Sequence, residues 1–322
     1  MQQSVFTCRY LFQEGLLSTA VWLRLPLHGY KFSKSLRYLL NRNGRKFSIE
    51  IKPYQHSTEH EVLYQLYKSN FKGRLSNSLY ESLGLDRDIT IFTSWQVEIR
   101  DEGRLIGLNI FDKGFKALQG ICIVFDHGYA KYSIGLYSML LVVRYAQECG
   151  LDYFYPGYIA PGRPVFEYKL RTKGTEFYDP ECDRWLPIAQ LDRESLPSAV
   201  MIRKLQELSK ELNRQQIDHD MYIYPPYQVV AADTRLVGFF AAPIFLDCYY
   251  FYPLKERILV HYHPLEKTFM VGRFFPVRDL EDRFFHDEKG PLKQFYLLMR
   301  TIDEVFESAS IEETCLHIGA LC

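Results

Sequence analysis

The run Ile121-Cys-Ile-Val-Phe125 is short, apolar and rich in β-branched residues, the pattern of a buried strand, and it ends at Asp126. Beyond it Leu136, Leu140, Val143 and Ala146, with Tyr137, Leu141 and Tyr145 alongside, recur at helical spacing until Gly150. The pattern predicts an amphipathic helix of about 16 residues with Ser133 as its N-cap and Gly150 as its stop. Asp152 to Tyr155 returns as an aromatic strand, which Pro156 and Gly157 are expected to break. Strand, loop, helix and strand in that order make a βαβ crossover, the unit around which the chain is organised.

Before this unit, Val5 to Pro26 reads as two strands turning at Gly15, and Ser33 can cap a helix that turns Leu36, Leu39 and Leu40 inward. Phe47 to Ile51 alternates as a strand ended by Pro53. Glu59 to Tyr67 predicts a helix burying Val62, Leu63, Leu66 and Tyr67, and Asn77 to Leu83 a shorter one. Ile89 to Ile99 and Arg104 to Phe111 read as strands joined by a turn at Asp101 to Gly103. The class expected is α+β, a mixed sheet flanked by helices over residues 1–175, with 1–55 its basic N-terminal segment. Residues 176–322 read as an extension. Irregular structure over 176–187 precedes a helix from Pro197 to Arg214. Strands follow at Tyr227–Ala231, Val237–Ala241, Phe245–Tyr252, Ile258–Tyr262 and Thr268–Phe274, then a helix at Leu292–Phe306.

With 322 residues and 47% hydrophobic content the chain can bury a sizeable core. The 39 basic and 39 acidic residues cancel, so any nucleic-acid contact must come from a local patch. One such patch exists: between Gly29 and Ser48, Lys31, Lys34, Arg37, Arg42, Arg45 and Lys46 occur without an acidic residue. A helix there leaves Lys34, Arg37 and Arg42 toward solvent, where they can meet phosphates. Seven cysteines without a C-x-x-C pair fit a reduced compartment and offer no metal-site spacing. His261 and His263 share a strand face without a third ligand, so no metal is expected. With neither a leader-like segment nor a long apolar run, a soluble, cytoplasmic protein is expected.

Lys131, Ser133 and Gly135 lie between the central strand and the helix that follows, where unpaired N–H groups can meet an anion. In GNAT-type acyltransferases this turn cradles the pyrophosphate of acetyl-CoA, but here it carries a single glycine. More specific are Phe32-Ser-Lys-Ser-Leu-Arg37 with Asn41-Arg-Asn43, and then Asp126-His-Gly-Tyr-Ala-Lys131, Ser133-Ile-Gly135, Tyr137-Ser138, Gly150-Leu-Asp-Tyr-Phe-Tyr155, Gly157-Tyr-Ile159 and Tyr168-Lys169. In order and spacing these pieces resemble the arginyl-tRNA-protein transferases, the aminoacyl transferases of the N-degron pathway. The chain resembles a divergent, bacterial-type member. It departs from the family pattern in having only Cys8 in its first hundred residues, and Pro161-Gly-Arg-Pro-Val-Phe166 where a cysteine and a methionine are usual.

The resemblance implies a GNAT-like fold and transfer of arginine, or leucine in a related bacterial group, from charged tRNA to the N-terminal Asp or Glu of a protein. An aminoacyl-tRNA donor and an acidic acceptor are the partners implied, with neither membrane nor DNA and no cofactor. The ester is already activated, so positioning and a proton acceptor are most of the catalytic task. The candidate catalytic residues are His127, Tyr158 and Tyr168. An acidic acceptor calls for a cation from Arg163, Lys169 and Arg171, and an arginyl donor for a carboxylate from Asp126 or Glu167. Lys34, Arg37, Arg42, Lys131, Ser133 and Gly135 are the candidates for tRNA. Two alternatives stay open: an acyl-CoA-dependent N-acyltransferase, and a silent tRNA- or protein-binding module.

Overall fold

A computed structural model of the chain describes residues 10–13, 15–71, 75–85, 93–162, 164–232, 234–248, 256–279 and 291–321. It divides into two compact units, one holding Ala20–Leu191 and the other Tyr10–Thr19 with the chain from Asp192 onward.

The first unit is built on an eight-stranded sheet in the order β10-β9-β3-β8-β7-β6-β5-β4. The strands are β3 (Val21–Pro26), β4 (Ser48–Pro53), β5 (Thr93–Asp101), β6 (Arg104–Lys113), β7 (Ala117–Phe125), β8 (Tyr153–Ile159), β9 (Glu176–Asp179) and β10 (Arg184–Pro187). Only β7 and β8 run parallel; every other neighbour pair is antiparallel. This is the mixed sheet of the α+β class. Residues 176–187, expected to be irregular and to open the extension, instead form the β9–β10 hairpin on this sheet.

Helix α1 (Lys34–Gly44) starts at Ser33, whose hydroxyl accepts from the Leu36 N–H, and it buries Leu36, Leu40 and Asn43. In α2 (Thr58–Ser69), capped by Ser57, the buried residues are His60, Leu63 and Tyr64. Val62, expected inside, is 64% exposed, because the apolar stripe lies one position further round. His60 docks on buried Glu98 of β5 through a 3.2 Å contact from Nε2. Glu98 also receives Arg100 at 2.8 Å, Lys52 at 3.3 Å and the Gln96 amide. A short α3 (Leu79–Ser82) follows. Helix α4 (Ile134–Glu148) buries ten residues, among them Ile134, Tyr137, Leu140, Leu141, Val143 and Ala146, in the main core. Gly150, with φ +67°, ends it as expected.

Two expectations around α4 need correction. Ser133 precedes the helix but makes no side-chain cap; it takes a left-handed conformation, φ 50° and ψ 49°, and its N–H bonds Ala130 O. The preceding loop is wound into a 3₁₀ helix, His127–Tyr132, capped by Asp126, and the kink between the two helices puts Ser133 off the cap geometry. Pro156 and Gly157 do not break β8, which runs on to Ile159. A proline is tolerated there because it follows the last β7–β8 pair and falls where the β3–β8 register shifts between Leu23 and Leu25.

In the second unit, β1 (Tyr10–Gln13) and β2 (Leu16–Thr19) form a hairpin, and a six-stranded sheet has the order β15-β11-β12-β13-β14-β16. Its strands are β11 (His219–Ile223), β12 (Ile244–Cys248), β13 (Arg257–His263), β14 (Thr268–Asp279), β15 (Lys293–Gln294) and β16 (Leu297–Ser308). Helix α5 (Pro164–Glu167) belongs to the first unit, before β9, and the second unit holds α6 (Pro197–Arg214), α7 (Tyr227–Ala232) and α8 (Ile311–Leu321). Helix α6 buries Met201, Leu205, Leu208 and Leu212 against Ile244, Leu246 and Val260. The segment 227–232, expected as a strand, is helical, because Pro225 and Pro226 pre-set its first turn and Pro226 O accepts from Val229 and Val230. Residues 237–241, also expected as a strand, contribute only an isolated bridge from Phe239 to Arg300. Leu292–Phe306, expected to be helical, is mostly β16, paired antiparallel with β14; the long ladder overrides a weak helical period. Among the described residues no helix is long and apolar enough to cross a membrane.

Candidate active site

The parallel strands β7 and β8 are paired only at Ala117↔Tyr153, Leu118↔Phe154 and Gln119↔Tyr155, although they run on to Phe125 and Ile159. Past those pairs they splay apart, and the β8 carbonyls beyond Tyr155 lose their β7 partners. The Tyr158 carbonyl is taken instead by Lys169, whose Nζ donates to it at 2.8 Å. Lys169 comes from the 3₁₀ helix Tyr168–Arg171 that follows α5. Its ammonium stands 5.4 Å from the ring centroids of both Tyr158 and Phe166. A Cβ placed on Gly157 would lie 3.4 Å from that nitrogen, so the backbone is drawn in close at a φ of +87°.

Lys169 as a residue is half-buried, yet its ammonium is enclosed deeply enough that desolvation pulls its pKa down to about 8. It has no carboxylate within salt-bridge distance among the described residues. A cation held by one carbonyl and two ring faces can still donate two hydrogen bonds, so it is ready for an anion. Beside it Tyr168 is held protonated well above the ordinary tyrosine range, chiefly by burial, with Tyr67 and Cys122 adding to the effect.

His127 opens the 3₁₀ helix before α4. Its ring stacks on Tyr67 at 5.3 Å and leans on Phe125 at 5.1 Å, and its Nδ1 is buried without a hydrogen-bond partner among the described residues. Asp126 is engaged at both oxygens: Oδ1 accepts from Gly128 N at 2.8 Å and Oδ2 from Arg104 Nη2 at 2.5 Å. That places it as the cap of the turn. Glu167 ends α5, Arg171 is exposed, and Arg163 lies outside the described residues.

The expected tRNA residues separate into two groups. Arg42 and Lys131 are brought together: Arg42 Nη2 lies 3.5 Å from Lys131 O, and both cations stand over the Tyr132 ring, at 5.5 and 5.3 Å. Lys46 joins them at 5.7 Å from the same ring. Buried Asn43 locks α1 to this turn by donating to Tyr132 O at 2.7 Å. Three cations thus surround one ring, and the basic block of the sequence signals Lys46, while Tyr132 carries no signal before α1 is docked. Lys34 and Arg37 are exposed near the start of α1. Gly135 is the second residue of α4, and a Cβ on it would lie 3.3 Å from Phe125, so close packing on that ring explains the glycine.

Residues 50–179 match the family model described as arginine-tRNA-protein transferase, C terminus. Among curated proteins, the aspartate/glutamate leucyltransferase of Leptospira interrogans is 25% identical over 175 residues, covering 51% of this chain and 66% of that protein. That of Hahella chejuensis is 27% identical over 158 residues, covering 47% and 65%. The chain thus spans just under two thirds of the length of these relatives. A GCN5-related N-acetyltransferase from Anabaena variabilis has a TM-score of 0.33 at 10% identity, over 71% of this chain and 50% of that one. The segment that holds the splayed strands, the capped 3₁₀ turn and Lys169 is thus the segment in which this chain is similar to the C-terminal part of the arginine-tRNA-protein transferases.

Proposed function

We propose that the protein is an aminoacyl-tRNA-protein transferase that moves leucine or arginine from charged tRNA to the N-terminal Asp or Glu of an acceptor protein. The observation that carries the reading is the enclosed Lys169 ammonium, without a carboxylate within salt-bridge distance among the described residues, in the mouth of the splayed strands. An acidic N-terminal side chain entering the splay supplies the missing anion and sets the α-amine beside the ester. The relatives' name, aspartate/glutamate leucyltransferase, supports leucine as the first donor to try. Asp126 is held by Arg104, which weakens the case for it as the partner of an arginyl group. Tyr158 and Tyr168 wall the site, and the buried Nδ1 of His127 is the group to test as proton acceptor.

The test is transfer of labelled leucine or arginine from tRNA to peptides beginning with Asp, Glu or Ala. Label entering only the acidic peptides is the expected result. Binding of charged tRNA without any transfer would replace the reading with that of a binding module.

The cations around Tyr132 are the expected phosphate contacts of the donor. Charge reversal at Arg42 and Lys131 together should weaken tRNA binding by at least about tenfold at low salt and flatten the slope of log affinity against log salt by about two. Filter binding across a salt series measures both, and an unaltered slope would remove this surface from the tRNA footprint.

A further inference from the structure

At the β10 end of the first unit's sheet, each strand sends its aliphatic or Phe side chains to the core and amphipathic rings to the other face. In β3, Val21, Leu23 and Leu25 are buried while Trp22 and Arg24 are half-buried; in β8, Phe154 is buried between half-buried Tyr153 and Tyr155. Phe177 and Tyr178 of β9 repeat the division. Helix α2 packs over β6 and β7, further along the sheet, so among the helices described it does not cover these rings.

The rings form a strip of two groups on this face. The Arg24 guanidinium lies between Tyr153 and Trp185, 4.6 and 4.7 Å from their centroids, and Glu176 holds it at 2.6 Å. Trp185 meets Tyr155 at 5.6 Å. Toward the splay, Trp22 meets Tyr158 at 5.4 Å, the ring over which Lys169 stands. Burial alternates along β3, so Trp22 and Arg24 share one face, and on it one group of rings stands beside the site and the other at the sheet's edge strand.

We propose that this strip is the track for the unpaired 3′ end of the donor tRNA, whose bases stack on Trp185, Tyr155 and Trp22 as the aminoacylated terminus enters the splay. The inference rests on the aminoacyl-tRNA reading above. Rings accept any base face, and a guanidinium plane held among them extends the stacking surface. Because Glu176 neutralises Arg24, the strip attracts bases more than phosphates, which fits single-stranded nucleotides on a sheet face. Four neighbouring strands bearing rings at strand spacing give room for more than one base.

The experiment is fluorescence anisotropy with a deacylated tRNA and with the same tRNA trimmed of its unpaired 3′ end. Trp185→Leu and Trp22→Leu should each weaken binding of the intact tRNA by about tenfold and leave the trimmed tRNA within about twofold. Trp185→Phe, which keeps a ring, should restore most of the intact-tRNA affinity, separating lost stacking from a disturbed fold. Equal losses on both tRNAs, or none on either, would overturn the proposal, as would a raised peptide KM with intact-tRNA affinity unchanged. These binding measurements need no turnover: a wild-type protein that transfers no amino acid sinks the transferase reading, while the pair of tRNAs still decides the strip.

Discussion

Replacing Lys169 by methionine is expected to lower kcat/KM for peptides beginning with Asp or Glu by about 30-fold or more, mainly through KM. The magnitude follows from removing one partner of an enclosed, hydrogen-bonded charge pair, which costs about 2–5 kcal/mol. On the proposed reading, discrimination between Asp- and Asn-leading peptides should collapse in parallel, since the ammonium pairs with a carboxylate and not with an amide. The pH profile carries a second signature. The acceptor's α-ammonium must lose its proton, with an ordinary pKa of about 8, while Lys169, at about 8, must keep its own. The wild-type profile is therefore expected to be a narrow bell centred near pH 8. Lys169→Arg, which cannot deprotonate in this range, should lose the falling limb. An unchanged KM for acidic peptides in Lys169→Met would remove Lys169 from acceptor recognition.

The same substitution should stabilise the protein. The Lys169 pKa is lowered from 10.5 to about 8, so between those values the unfolded chain binds more protons than the folded one and stability rises with pH. At neutral pH the full desolvation penalty is present, and Lys169→Met removes it. A higher melting temperature together with lost acidic-peptide turnover is the expected pairing, and it separates a functional loss from a folding defect.

Much of the central unit was legible in the sequence because its signals are local. The β-branched run of β7, the α4 stripe and Gly150 each answer to one element's own periodicity. The failures came where a long-range contact decided the outcome. Pro156 reads as a breaker in isolation, and the end of the β7–β8 ladder together with the register shift against β3 makes it harmless. Leu292–Phe306 has a helical period, yet pairing with β14 makes most of it a strand. At the site, Tyr168-Lys169 could be named from the sequence, whereas a strand-like alternation there gives no hint of the 3₁₀ turn that aims Lys169 at the Tyr158 carbonyl. Nor could Trp22, Arg24 and Trp185 be joined before the order β10-β9-β3-β8 was known.

Glu98→Ala is expected to produce the largest loss of stability, about 3–5 kcal/mol, because it strands several donors at once. Its side chain is 5% exposed and takes His60 Nε2 at 3.2 Å, Arg100 Nη2 at 2.8 Å and Lys52 Nζ at 3.3 Å. Burial alone would raise its pKa; hydrogen bonds from Arg100 and His60 outweigh that and hold it below 4.5. Its contribution is therefore fully present above that value and is lost as pH falls through the lower, folded one. His60 acts over an earlier window. Burial lowers its pKa from 6.5, so once pH drops below 6.5 the unfolded chain takes up a proton that the folded chain resists, and stability declines. Urea unfolding followed by the emission of Trp95, on the same strand as Glu98, with Trp22 and Trp185 replaced by phenylalanine, should show the midpoint falling from pH 7 to pH 5. At pH 7 the Glu98→Ala midpoint should fall by about 1–3 M, for a loss of that size at ordinary urea slopes. Coincident wild-type and Glu98→Ala curves at pH 7 would mean that α2 is held on the sheet by Leu63 and Tyr64 alone.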